Sequence, residues 1–349
     1  MRVAFVHDWL VVSGGAEKVT REILRTFDAE VFALIDFLDD RDRAFILDGK
    51  RAKTTFIQHL PFAREHYRYY LPLFPAAIEQ LDLSGYDLII SASYAVAKGV
   101  KVHPGQTHVC YIHTPMRYAW FREEDYLKDH GMAAGPKAWL VRNVLAQLRA
   151  WDLNSVRSVD RFIANSANVA QRVKAIYGRD ADVLLPPVDT DIFTLHAGTR
   201  SHYIIASRLV PYKRVDRIIE AFRELPEKKL IICGDGPDRD RLEQNAPPNV
   251  QFTGHVDQVH FVELLRGANA LITAADEDLG LTPLEAQSCG TPTIALRKGG
   301  YLETVVDGVS GVFFDTDQPA DIAAAVKRFE RDGIQRSPVE LRSGMMPHS

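Results

Sequence analysis

Cysteine is scarce: Cys110, Cys233 and Cys289 are the only three in 349 residues, with no CxxC pair and no histidines at zinc-finger spacing. That excludes a disulfide framework and a structural zinc site, and makes a reducing cytoplasm the expected compartment. Long apolar runs are missing as well, since no stretch approaches the roughly 18 residues that a membrane-spanning helix needs. Met1 leads straight into Val3-Ala4-Phe5-Val6, without the charged start and apolar core of a signal peptide. The expectation is a soluble cytoplasmic protein, at most peripheral to the inner face of a membrane. Nor is there an excess of one charge: 42 Lys plus Arg stand against 46 Asp plus Glu, a formal charge of -4. Such a balance argues against a nucleic-acid backbone as the main partner. Walker A, HExxH, GxSxG and EF-hand patterns are absent, which removes the usual signatures of several hydrolases and NTPases.

What is present is ordinary globular composition, 46% hydrophobic and 25% charged, with length for two cores at roughly 100 to 200 residues each. Short runs of Val, Ile and Phe alternate with segments of helical period, the pattern of parallel sheets covered by helices on both faces. In the first half strands are expected at 2–6, 31–35, 87–91, 108–112, 161–165 and 182–185, with a weaker one near 54–57. In the second half they are expected at 203–206, 229–233, 250–253, 270–274, 293–296 and 311–314. Two doubly wound α/β domains follow, 1–185 and 186–331, with a hinge at Pro186-Pro187 where consecutive prolines end regular structure. Up to residue 185 the chain carries 24 basic and 22 acidic residues, and beyond it 18 and 24. Residues 332–349 contain Pro338 and Pro347 and little helical period, and read as a short atypical tail.

In open α/β sheets ligands bind beyond the carboxyl ends of strands. Four segments there carry chemistry. Ser207-Arg208 and Lys213-Arg214 precede an amphipathic helix reaching about residue 225, and cations at a helix N-terminus oppose its dipole unless an anion is present. The plain alternative is that these residues point into water or pair with Asp216. Asp276-Glu277-Asp278-Leu279-Gly280-Leu281-Thr282-Pro283-Leu284-Glu285 leads into a second helix, with Thr282 as expected N-cap, Pro283 at the first helical position and Glu285 closing a capping box. Glu277 and Asp278 lack such a local explanation; they suit a polyhydroxylated ligand, with the Leu281 and Thr282 amides left for phosphate. Gly14-Gly15 after the first strand permits a tight turn, yet no GxGxxG follows a strand, and Gly234-Asp235-Gly236 runs into Pro237, so NAD is disfavoured. His113, with Arg117 close behind, sits where a strand would deliver it to the crevice.

Taken together, Gly14-Gly15-Ala16-Glu17-Lys18, His113-Thr114-Pro115-Met116-Arg117-Tyr118, Pro186-Pro187-Val188-Asp189-Thr190, Ser207-Arg208 with Lys213, and Glu277 to Ala286 resemble retaining glycosyltransferases of family 4, which have the GT-B fold. The resemblance runs from the first strand to about Asp315 and is greatest to the O-antigen and polysaccharide mannosyltransferase branch. Glu277 and Glu285 form the family's E-x7-E signature, and Asp278 after the first glutamate marks the branch. The resemblance implies two Rossmann-like domains facing a central cleft. It implies that Arg208 and Lys213 hold the donor diphosphate, Glu285 the ribose and Glu277 the transferred sugar, beside Asp278 and Gly280. Leu281 and Thr282 would bind the distal phosphate, Gly14-Gly15 would pack near it and the acceptor, His113 would line the sugar pocket, and Gly254-His255-Val256 would meet the base.

No cofactor or metal is expected. The implied reaction moves a hexose, mannose from GDP-mannose by the branch resemblance, to a saccharide or lipid-linked acceptor of cell-surface polysaccharide synthesis. A nucleotide-sugar epimerase of related architecture and a non-catalytic nucleotide-sugar or glycan binder stand as alternatives. Two stretches, 51–74 with Arg51, Lys53, Arg64 and Arg68 among aromatics, and 137–151 with Arg142 and Arg149 opposite Leu140, Val144, Leu148 and Trp151, fit either an anionic bilayer or packing on the first sheet. The family's crossing helix after residue 331 is expected to be shortened or absent.

Overall fold

The structure is a computed structural model that describes residues 1–12, 14–121, 123, 135–195 and 198–345. It divides into two compact units, Met1–Leu185 and Pro186–Ser349. Among the described residues the first holds seven strands: β1 (Val3–His7), β2 (Ala29–Ala33), β3 (Lys53–Thr54), β4 (Leu88–Ser93), β5 (Thr107–Ile112), β6 (Arg161–Ala164) and β7 (Ala181–Val183). The second holds six: β8 (His202–Ala206), β9 (Leu230–Cys233), β10 (Val250–Gly254), β11 (Ala268–Thr273), β12 (Thr293–Leu296) and β13 (Gly311–Phe314). Every pairing is parallel.

The strand orders are β3-β2-β1-β4-β5-β6-β7 and β10-β9-β8-β11-β12-β13. Each sheet therefore reverses direction once, between β1 and β4 in one and between β8 and β11 in the other. That reversal opens a crevice at the strands' carboxyl ends. Both faces of each sheet are covered, which is why the central strands are apolar throughout. Along β1, Ala4 and Val6 enter one core with Phe32, Ile89 and Leu148, while Val3 and Phe5 enter another with Val31, Ile46 and Ile90. In the second unit Tyr203 and Ile205 face Phe222, Ile232 and Val326, whereas Ile204 faces Leu265 and Leu284. The helix Val215–Arg223 buries Val215, Ile218, Ile219 and Phe222, the i, i+3, i+4, i+7 stripe of a helix laid on a sheet.

Three expectations need correction. The strand at 31–35 pairs over Ala29–Ala33; beyond it Leu34 donates to the Asp8 carbonyl and accepts from the Thr55 amide and hydroxyl. Near 54–57 only Lys53–Thr54 pair; Thr55 then accepts from the Ile57 amide at 3.3 Å and starts a 3-10 turn. The tail carries a helix, Pro338–Ser343, where Ser337 and Glu340 form a capping box and Pro338 occupies the first turn, a local signal sufficient to start a helix despite the prolines. Leu341 and Met345 are buried, and Arg342 donates to the carbonyls of Thr190, Phe193 and Ser288, so these residues complete the second unit. Residues 346–349 lie outside those described.

The helix Pro136–Ser155 also departs from expectation. Ala138, Leu145, Leu148 and Asp152 form its buried stripe, and at about 100° per residue Leu140 falls on the opposite side, where it is exposed. Arg142 and Arg149 both reach the Glu123 carboxylate, so neither is a bare basic face.

Candidate functional site

In the second unit the carboxyl ends of β8 and β9 are locked together. Ser207 donates to the Cys233 carbonyl and Leu209 to that of Asp235. Gly234 and Gly236 make this approach possible, because a Cβ on either would overlap the Ser207 or Leu209 backbone. Arg208 is exposed on this fixed loop, and among the described residues no hydrogen bond or ion pair holds its guanidinium. Lys213 ends the 3-10 turn Pro211–Lys213. Arg214 adopts the left-handed region at φ 56° and pairs with Asp317 at 3.1 Å, not with Asp216.

Across the switch point, β11 runs into the acidic loop. The Lys213 ammonium bonds directly to the Glu277 carboxylate, both groups being mostly shielded from solvent. The contact brings together two residues 64 positions apart. Asp278 and Glu285 are buried and held by partners. The following helix is Leu281–Ser288, capped by Gly280 at φ 89°. Its first residue is thus Leu281; Thr282 is not the N-cap, and Glu285 lies two positions too deep to close a capping box. The structural explanation for Glu285 fails, and its burial at the switch point stands without it. The amides of Leu281 and Thr282 occupy the first turn, where N–H groups have no intrahelical acceptor.

A component absent from the sequence reading is Lys298-Gly299-Gly300, just beyond β12. Lys298 pairs with Asp276 at 3.2 Å, and the Gly300 amide donates to the Glu277 carbonyl at 2.8 Å. A Cβ on Gly299 or Gly300 would overlap the backbone of Glu277, Asp278 or Leu279. The double glycine thus sets the position of the acidic loop. A Lys-Gly-Gly after an apolar run was readable by the same carboxyl-end rule applied to the other strands. Gly254 closes β10, its carbonyl accepting from Gly234 at 2.9 Å; His255 is exposed and Val256 partly buried.

In the first unit the corresponding position is sealed. Gly14 precedes the helix Gly15–Thr26, and its amide donates to the buried Glu17 carboxylate at 3.0 Å. Burial pushes the Glu17 carboxyl up to about 7; the Gly14 amide opposes, while Asp42 and Asp8 reinforce the rise. Asp8 accepts from four amides, Tyr94, Ala95, Val96 and Ala97, at 2.6 to 2.9 Å, and so fastens the loop after β4 to the end of β1. Behind it Lys98 and Asp152, both fully buried, pair at 2.6 Å.

His113 donates its amide to the Ser93 carbonyl at 2.9 Å and lies in an aromatic cage with Tyr94 and Tyr111, ring centroids 6.0 and 5.2 Å away. Burial lowers its imidazole to about 3, and the neighbouring His7 adds to the fall. His7, unnoticed in the sequence, is itself fully buried and lowered to about 4 by burial, against a small opposing effect of the Trp9 backbone. Both rings are neutral at physiological pH. Arg117 is half-buried in the short helix Arg117–Trp120. Gly14, His113 and Arg117 therefore belong to one unit, and Arg208, Lys213, Glu277, Asp278, Gly280, Leu281, Thr282 and Glu285 to the other. Among the described residues no group of three or more His, Cys, Asp or Glu side chains is placed to hold a metal ion.

Residues 13–192 match the family model described as Glycosyltransferase Family 4, and residues 191–343 match Glycosyl transferases group 1. The chain belongs to Glycosyltransferase Family 4. Curated relatives include proteins named D-inositol 3-phosphate glycosyltransferase. That of Geodermatophilus obscurus is 32% identical over 211 residues, 49% of this chain and 46% of the relative. That of Mycolicibacterium smegmatis is 29% identical over 56% of this chain and 50% of the relative. These two alignments span about half of the relatives' length, whereas that with the Acidothermus cellulolyticus protein, 26% identical, covers 96% of this chain and 80% of the relative.

Among solved structures, the family 4 chain resembles Anabaena HepE in complex with UDP and glucose, with TM-score 0.73, 17% identity, and 100% and 95% of the two chains covered. It also resembles sucrose-phosphate synthase from Thermosynechococcus elongatus, with TM-score 0.74, 14% identity and the same coverage. At such identities the likeness speaks for the two-domain Rossmann-like GT-B fold alone.

Proposed function

We propose that this family 4 protein is a retaining glycosyltransferase that moves a hexose from a nucleotide diphosphate sugar to a saccharide or lipid-linked acceptor. One observation carries the reading: at the switch point of the second sheet, Lys213 is bonded to Glu277 of the fixed acidic loop after β11, and the exposed Arg208 follows the neighbouring strand β8. As the glycosidic bond to the diphosphate breaks, negative charge grows on phosphate and positive charge on the sugar ring. Arg208, Lys213 and the Leu281 and Thr282 amides would stabilise the first. The Glu277 and Asp278 carboxylates would accept hydrogen bonds from sugar hydroxyls, and Glu285 from the ribose. Because Lys213 already touches Glu277, phosphate and sugar would be gripped at adjoining points. Gly254, His255 and Val256 would meet the base, and Gly14-Gly15, His113 and Arg117 the transferred sugar and acceptor. No metal is assigned, since these cations and amides can carry the leaving-group charge.

Within this reading we assign mannose and GDP-mannose on the Glu277-Asp278 pair. The relatives' name raises inositol phosphate as a second acceptor. Peripheral contact with an anionic bilayer is supported by exposed Phe62 and Tyr69, close in sequence to Arg64 and Arg68, and by exposed Trp139 in the helix Pro136–Ser155, and pelleting with anionic liposomes at low salt tests it.

The decisive experiment is thermal-shift titration with GDP-mannose, UDP-glucose and UDP-N-acetylglucosamine, followed by transfer to a lipid-linked saccharide or to inositol 3-phosphate. Stabilisation by one donor, with nucleotide diphosphate released only when acceptor is present, supports the transferase and excludes the epimerase. Donor binding without release across both acceptors would leave a binding protein. No stabilisation by any donor would refute the reading.

A further inference from the structure

One carboxylate in the core of the first unit does more than its charge partner requires. Asp152 lies in the buried stripe of the helix Pro136–Ser155 and, like Lys98, is fully buried. Stability alone is a poor reason for such a pair, since well-packed apolar residues of similar volume often hold a fold as well as a buried ion pair or better. What a carboxylate supplies and a leucine cannot is direction, because its lone pairs select which donors sit where.

Asp152 uses that capacity on three partners. Its Oδ1 faces the Lys98 ammonium at 2.6 Å, while Oδ2 accepts from the Trp120 indole at 2.8 Å and the Tyr177 hydroxyl at 2.7 Å. Two of these partners lead to the carboxyl ends of the first sheet. Trp120 closes the one-turn helix Arg117–Trp120 that follows His113, and Arg149, on the same helix as Asp152, donates to the Ala119 carbonyl there at 2.8 Å. Lys98 donates to the Ala95 carbonyl at 2.6 Å, in the loop after β4 whose amides Asp8 holds at the end of β1. That loop carries Tyr94, whose ring centroid lies 5.8 Å from that of His7 and 6.0 Å from that of His113. The segments after β1, β4 and β5 thus converge on one side chain, the first two of them through Lys98.

We propose that Asp152 is a positioning residue: by holding the Trp120 indole and the Lys98 ammonium at once, its carboxylate sets the helix bearing Arg117 against the loop bearing Tyr94, and with them the placing of His113. Asp152 touches no substrate. The consequence for sugar transfer rests on the reading of the preceding subsection, whereas the coupling of the two segments does not.

The test compares two uncharged double variants of the full-length protein. Lys98→Met/Asp152→Asn keeps an acceptor for Trp120 and Tyr177, and Lys98→Met/Asp152→Leu keeps none. Both remove the two charges together, so neither leaves a lone ion in the core. The Trp120 indole N–H resonance, assigned with Trp120→Phe, should stay at its hydrogen-bonded position in the Asn variant and move upfield in the Leu variant. The His113 and Arg117 amide resonances should move with it in the Leu variant alone. Where sugar is transferred, the Leu variant should lose about ten- to a hundredfold in kcat with nucleotide diphosphate affinity unchanged, and the Asn variant should keep most of the rate. Equal losses in both variants at equal melting temperature, or His113 and Arg117 resonances unmoved in the Leu variant, overturn the proposal. If neither double variant folds, Trp120→Phe decides: it removes one donor and leaves the ion pair, and unmoved His113 and Arg117 amides overturn the proposal as well. If the wild type transfers no sugar, the glycosyltransferase reading falls and the resonances still judge Asp152.

Discussion

At the carboxyl ends of β1 and β5 the titratable side chains are sealed: His7 and His113 are neutral, pressed towards about 4 and 3, and Glu17, in the helix after β1, is raised to about 7, with the buried Lys98–Asp152 pair behind them. At those of β8, β11 and β12 they are charged and partly open, with Lys213 on Glu277, Lys298 on Asp276 and Arg208 exposed. The same strand order thus supports two kinds of recognition. Burial strips water from the first set, so its specificity comes from hydrogen-bond direction and its cost from any partner left unmet. The second set keeps solvent access, so full charges survive there and can meet a diphosphate without a large desolvation penalty.

The comparison can be broken first at its foundation. Lys98→Met leaves Asp152 charged in a site where both partners are fully buried, and should destabilise the first unit by about 3–5 kcal/mol. Urea-dependent hydrogen exchange of β4 and β5 amides reads it, with amides of β8 and β11 as the internal control; equal losses in both units would refute a local effect. Next, Arg208→Ala should leave the melting temperature unchanged and reduce sugar transfer by about 10² to 10³, or roughly 3 to 4 kcal/mol of barrier. A folded variant with parental rate removes Arg208 from the reaction.

The third prediction concerns pH. Glu17 has its native pKa raised from 4.5 to about 7, so between these values the native state holds a proton that the unfolded state has released. Stability from this group is full below about 4.5 and is lost as pH rises to about 7, up to about 3 kcal/mol in all. His7 and His113 act in the opposite sense, weakening the fold as pH falls below 6.5. Glu17→Gln keeps an acceptor for the Gly14 amide and should exceed the wild type in melting temperature by a margin that grows from pH 5 to pH 8. A constant margin contradicts the buried, protonated glutamic acid. The smallest expected effect is that of Gly300→Ala, whose Cβ meets the Asp278 carbonyl and Leu279. About 1–3 kcal/mol of strain should result, and calorimetry should show weaker donor binding as the acidic loop shifts.

Much of the fold was legible because parallel strands buried on both faces must be apolar without interruption. Among the described residues the central strands β1, β8 and β11 read largely so, whereas β3 (Lys53–Thr54) and the largely exposed β7 do not, and β12 and β13 have the expected ends. Boundaries slipped where apolar residues continue past the ladder, as at Leu34 and Ile35, since burial and strand pairing are different constraints. The helix beginning at Leu281 was misplaced for a similar reason: Thr-Pro is a good local start, yet Gly280 in the left-handed region turns the chain two residues earlier. Leu140 was assigned to the wrong side because the helix's rotation is set by what it packs against.

The chain by itself determined the two α/β sheets, the interruption at Pro186-Pro187 and the family, because these rest on composition, period and motif, all of which are local along the sequence. Only the tertiary structure decided that Lys213 meets Glu277, that Gly300 seats the acidic loop, and that His7 is closed in with Tyr94 near His113. Those contacts join strands that pair out of sequence order, and the burial that sets their charge states depends on every layer packed around them.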